Sequence, residues 1–165
     1  MDVRSALRSQ YHAALKTLRE VIEKCPNEMW NEPADAPFWR VVYHTLFYAH
    51  FYLQQNQENF APWPKHRDEA QYIASVPHEG HRPPKSCEPF TPGELLDYWS
   101  ACDHMVDAQI AALDLSASQC GFPWYKMSTL EHQIVNIRHI QHHAAALASR
   151  LRRSAGIAVN WVGKA

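Results

Sequence analysis

Residues 36–58, APFWRVVYHTLFYAHFYLQQNQE, read as a helix that is apolar or aromatic around most of its circumference. Such a helix has little solvent face to offer and must be buried on several sides. The rest of the chain has to supply the walls, and it reads as helices too. Residues 2–24 set Val3, Leu7, Tyr11, Ala14, Leu18 and Val21 at spacings of three and four. CPNE closes that segment, because Pro26 cannot continue the backbone bonding. A third helix opens at TPGE, with Thr91 as N-cap, Pro92 in the first turn and Glu94 completing a capping box. Its stripe is Leu95, Trp99, Cys102, Val106, Ile110 and Leu113. A fourth opens at STLE, with a capping box from Ser128 to Glu131, and runs to about Ser154 before Gly156. Leu130, Ile137, Ile140, Ala144, Leu147 and Leu151 form its apolar face.

Between the second and third helices, residues 59–91 hold six of the eleven prolines: Pro62, Pro64, Pro77, Pro83, Pro84 and Pro89. This stretch reads as a long connection, functional or partly mobile, with one short helix around RDEAQYIASV. The expected architecture is all-α: a four-helix bundle with a long Pro-rich connection between helices 2 and 3, forming one domain over 1–165. The closing IAVNWVGKA is apolar enough to pack back onto the bundle.

A net charge of −1 and a pI near 6.8 provide no global field for nucleic acid or anionic lipid. Only Arg150, Arg152 and Arg153 cluster. No long apolar run suits a membrane span, and MDVRSALRSQYHAAL lacks a signal-peptide core, so a soluble, cytoplasmic chain is expected. Cys25, Cys87, Cys102 and Cys120 are widely spaced, with no CxxC pair, and read as reduced thiols, mostly buried. The outlier is histidine, with eleven in the chain.

NIRHIQHHAAALASRL, residues 136–151, carries three of them. On a helix, His139 and His143 fall one turn apart on one face, while His142 turns toward water. An i, i+4 imidazole pair can converge on one ion, as in HExxH helices. The intervening IQH lacks the glutamate that would serve as base, so a metalloprotease is excluded. Two imidazoles bind a divalent ion weakly, and the best third is His44, in the apolar second helix beside Val41, Tyr48 and Phe51. His50 reads as an outer partner or a packed aromatic. His12 and His104 lie on polar faces. His132 is about 10 Å up the fourth helix, too far to share the ion. His66, His78 and His81 read as surface residues of the connection.

Taken together, PFWRVVYHTLFYAHFYL (37–53), PFTPGELLDYW (89–99) and NIRHIQHHAAALASRL (136–151) resemble the DinB / YfiT-like family of metal-binding four-helix bundles. The resemblance implies a divalent ion, nickel or zinc, held by one histidine of the second helix and an HxxxH pair of the fourth: His44, His139 and His143. It also implies a metal-dependent enzyme acting on a small-molecule substrate, a thiol S-transferase or hydrolase that activates a low-molecular-weight thiol such as bacillithiol or glutathione, or water. Three neutral imidazoles leave an ion an open position, the catalytic pattern. Tyr48, one turn past His44, is the candidate proton donor, and Asn136 a group that supports the ligands from behind. The alternative is a non-catalytic, stress-related protein whose ion ties two helices together. Relatives pair, so a homodimer is expected. The chain departs from the family at Ala144, Ala145 and Ala146, where polar residues commonly follow the second ligand.

Overall fold

The computed structural model describes residues 2–33 and 36–165. Five α-helices emerge: α1 (Val3–Lys24), the single turn α2 (Asn27–Trp30), α3 (Phe38–Tyr52), α4 (Pro92–Ala112) and α5 (Thr129–Ala155), with no strand among the described residues. The four long helices form the bundle, in which α1 and α3 each pack against both α4 and α5. Among the described residues, no helix is long and apolar enough to cross a membrane.

The ends obey local chemistry. The Asp2 side chain accepts the Arg4 amide at the start of α1. The Thr91–Glu94 capping box forms in full, and at α5 the Ser128 hydroxyl accepts the Glu131 amide. Gly156 ends α5 in the left-handed conformation, at φ 68°, which costs glycine nothing. The Arg4 guanidinium donates to the Ile110 and Leu113 carbonyls, satisfying the end of α4 from a neighbouring helix.

As its composition requires, α3 is buried on several sides, from Phe38 and Val42 to Leu46 and Ala49. It is shorter than expected, ending at Tyr52 instead of 58. The Asn56 side chain accepts the Asn59 amide and starts a 3-10 turn, Gln57–Asn59, that competes with helix continuation. Gly121 then passes so close that a Cβ there would sit 2.3 Å from the Gln55 carbonyl oxygen. The single-turn α2 was not expected; it seats Met29 and Trp30 in the core, and the Trp30 indole donates to the Phe90 carbonyl at 2.7 Å.

The long connection is tied down by charged groups. Buried Arg40 of α3 donates to the carbonyls of Glu69, Tyr72 and Lys85. Glu69 receives Arg82 through two contacts, 2.6 and 2.9 Å, and the Lys85 amide at 2.7 Å. The Arg82 and Lys85 hydrogen bonds hold its carboxyl down at about 2. Glu69 adopts a positive φ of 60°, so the short helix expected around residues 67–76 is replaced by turns; a 3-10 turn follows at Pro77–Glu79. His66 is likewise no mere surface residue: its ring stacks on Tyr43, and the two side chains hydrogen-bond at 2.6 Å. His78 and His81 are exposed.

The tail packs back as its composition suggests. Lys24 donates to the Ala158 carbonyl, Gln10 to that of Gly163, and Asn160 to Glu20. All four cysteines are free; Cys102 and Cys120 are buried, Cys25 and Cys87 half-buried.

Candidate metal centre

Where α3 meets α5, His44, His139 and His143 each bring one ring nitrogen to within 4.8 Å of the others. The sequence therefore anticipated the residues that converge. Ring centroids lie 5.0 Å apart for His44 and His139, 4.7 Å for His44 and His143, and 4.6 Å for His139 and His143. All three are half-buried, so solvent reaches the cluster.

The tautomer of His44 follows from its partner. Its Nδ1 sits 2.7 Å from the Gln71 carbonyl oxygen, which can only accept, so Nδ1 carries the proton and Nε2 of the neutral ring is a lone pair. That Nε2 lies 3.0 Å from Nε2 of His139, while the buried Nδ1 of His139 has no partner. Burial pushes His44 down to about 4. Burial first, then the neighbouring imidazoles, pushes His139 and His143 down to about 3. The result is three neutral imidazoles facing one another.

These residues fit a divalent ion. A tetrahedral site with bonds of about 2.1 Å sets its donors roughly 3.4 Å apart, so small side-chain rotations bring the trio to that spacing. The His44 ring is oriented from behind by a backbone carbonyl, as metal-ligating imidazoles commonly are. A cation would also resolve the close approach of the two Nε2 atoms of His44 and His139.

Tyr48 stands beside the trio, its ring 4.8 Å from that of His44 and 5.8 Å from that of His139. Burial pushes its hydroxyl up to about 12. Tyr48 and Gln71 also line a cleft of about 560 Å³ whose walls are mostly aromatic. On another side, His143 borders a smaller hollow of about 220 Å³ with Ala146 and Arg150. Ala144 is buried and Ala145 exposed, so of the three alanines only Ala146 faces a hollow of the site.

The other histidines separate cleanly. His142 is exposed. His50 bonds the Tyr98 hydroxyl at 3.1 Å and packs on Phe60, the packed-aromatic alternative. His12 contacts Asp103 at 2.7 Å and Asp107 at 3.5 Å. His104 is exposed and donates to the Ser100 carbonyl. His132 is wholly buried among Tyr52, Phe122 and Tyr125, with neither ring nitrogen partnered.

Of the supporting features, the Gln71 carbonyl and the Gln133 amide escape sequence reasoning, whereas Asn136 is the residue expected behind the ligands. The Gln71 carbonyl is a backbone group in an aperiodic connection, which no residue pattern signals. The buried amides of Gln133 and Asn136 donate to the α3 carbonyls of Tyr52 and Ala49, at 3.0 and 3.1 Å. Their signal is two polar residues on a face that burial claims.

A family model for the DinB superfamily matches residues 10–147. No curated protein and no solved structure matches the chain.

Proposed function

The chain belongs to the DinB superfamily, and on that premise we propose that it is a metal-dependent enzyme whose His44, His139 and His143 hold one divalent ion, nickel or zinc. The observation that supports it is the convergence of three imidazoles from two different helices, each half-buried and none bonded to a carboxylate. An ion of this kind supplies Lewis acidity, easing the loss of a proton from a thiol or water that approaches it.

The chain's own residues do the rest. The Gln71 carbonyl fixes the His44 ring, and the α5 backbone sets His139 and His143 one turn apart. Tyr48 stays protonated at neutral pH, so its hydroxyl can serve as a proton donor from a residue that lines the aromatic cleft. The reaction this favours is thiol activation followed by S-transfer, or hydrolysis.

The test is metal analysis after equilibration with nickel or zinc and removal of excess ion. One ion per chain is expected in the wild type, and loss of most of it in His44→Ala with helicity unchanged. Equal stoichiometric metal in both proteins rejects the trio. A panel of thiols with electrophilic substrates, assayed on loaded and stripped protein, then tests turnover; no metal-dependent product across the panel rejects S-transfer.

A further inference from the structure

The cleft beside the trio carries an unspent recognition group. Its walls include Phe47, Phe51, Phe60, Tyr48 and Trp124, and its volume of about 560 Å³ falls in the range of small-molecule sites. The rings meet edge to face: Phe47 on Phe60 at 74°, Phe51 on Phe60 at 67°. Trp124 lies nearly parallel to Phe51, at 24°, and is half-exposed. Among the described residues, no lysine, arginine, aspartate or glutamate lines the cleft. Gln71, which gives its backbone carbonyl to His44, is also one of the lining residues, and its Oε1 is buried without a hydrogen-bond partner.

A buried acceptor left unpaired is costly, and a ligand donor would satisfy it. Walls without charge do not repay the desolvation of a carboxylate or an ammonium group. We propose that this cleft binds an uncharged, planar aromatic ligand carrying one hydrogen-bond donor, stacked among Phe47, Phe51, Phe60 and Trp124 with its donor on Gln71 Oε1. It rests on the metal-centre reading only for its role as the substrate side of that centre. It also places the carboxylates of glutathione-like thiols outside this cleft, since no cation there pairs with them. Gln57, His78 and the tyrosines Tyr48, Tyr52 and Tyr72 are the other lining residues with polar side-chain groups.

Calorimetric titration of the full chain, metal-loaded and chelator-stripped, with 2-naphthol, 2-naphthoate and a naphthyl trimethylammonium salt tests this. 2-Naphthol is expected to bind at least tenfold tighter than either charged analogue. Gln71→Leu weakens it about five- to tenfold, the worth of one hydrogen bond. Phe51→Leu, a mild change in a half-buried wall, weakens 2-naphthol in both metal states. Equal or tighter binding of either charged probe, absence of 2-naphthol binding, or indifference to Gln71→Leu overturns the proposal. Metal stoichiometry measured alongside separates the two readings: naphthol binding to a chain that holds no ion removes the metal centre and leaves the cleft.

Discussion

Replacing Arg40 with leucine tests whether the connection is held by the guanidinium or merely drapes over the bundle. Arg40 is only 7% exposed and donates to three carbonyls, those of Glu69, Tyr72 and Lys85, at 3.2–3.3 Å, with Cys87 Sγ at 3.5 Å. Hydrogen bonds from a charged donor contribute about 1.5–3 kcal/mol each, and their length here argues for the lower end. Leucine retains packing against Trp39, and some carbonyls regain water, so the expected loss is about 3–4 kcal/mol. Gln71 lies between two residues whose carbonyls Arg40 holds, so the loss propagates to the bond that orients His44. Metal affinity should fall roughly tenfold, the usual cost of losing support behind a ligand. Urea denaturation gives the stability change, limited proteolysis within residues 60–90 reports the freed connection, and metal titration reports the coupling. Arg40→Lys should recover about a third of the loss, because an ammonium reaches fewer of the spread carbonyls. An Arg40→Leu protein within 1 kcal/mol of wild type, equally protease-resistant and with unchanged metal affinity, refutes the reasoning.

Three further outcomes are expected. Nickel or zinc at about a hundred times its dissociation constant should stabilise the chain by about 2.7 kcal/mol, raising Tm by roughly 5–10 °C. The rise should vanish in His44→Ala and persist in His142→Ala; an equal rise in all three proteins contradicts the ligand assignment. Burial alone would lower the pKa of His12, but its hydrogen bonds and attraction to Asp103 and Asp107 raise it overall. This pairing stabilises the fold fully below the unfolded value of about 6.5 and is lost as pH rises through the higher folded value. His12→Gln should therefore cost about 0.5–1 kcal/mol at pH 5.5 and almost nothing at pH 9, read by Tm against pH; a deficit independent of pH would show that the charge is not involved. His132→Phe should raise stability by about 1 kcal/mol in denaturant titrations, since neither ring nitrogen is bonded. Because burial holds His132 down at about 4, the variant should also lose less stability as pH falls from about 6.5 toward 4. A marked drop in stability instead would mean that the imidazole has a partner.

The bundle was legible because long helices declare themselves through apolar spacing and caps. Thr91, Ser128, Pro26 and Gly156 mark ends that the structure keeps within a residue or two. The trio was legible because i, i+4 histidines share a helix face whatever surrounds them, and because His44 stood alone in an apolar segment. The connection was not legible. Its shape depends on Arg40, Glu69, Arg82 and Lys85 meeting across more than forty residues of chain, and no local period encodes that. The early end of α3 was hidden for a similar reason, since the Gln55–Asn56 turn is shaped partly by Gly121 from a distant loop.

The stripe of α5 shows what periodicity misses and why the site depends on it. Leu130 and Ile137, assigned to the core face, are only half-buried, whereas Thr129, His132, Gln133 and Asn136 are fully enclosed. Apolar contact is nondirectional, so a helix packed by leucines alone tolerates small rotations about its axis. Polar groups do not tolerate them, because an unpaired buried amide costs about 1–3 kcal/mol. Gln133 is bonded on both sides, donating to the Tyr52 carbonyl and accepting from the Tyr11 hydroxyl, while Asn136 donates to Ala49. These ties run from α5 to α3 and α1, immediately before the turn that carries His139. They fix the azimuth of α5 against α3, and that azimuth decides whether His139 and His143 face His44. The amides thus do for the helix what the Gln71 carbonyl does for the ring: each spends a directional bond to aim an imidazole.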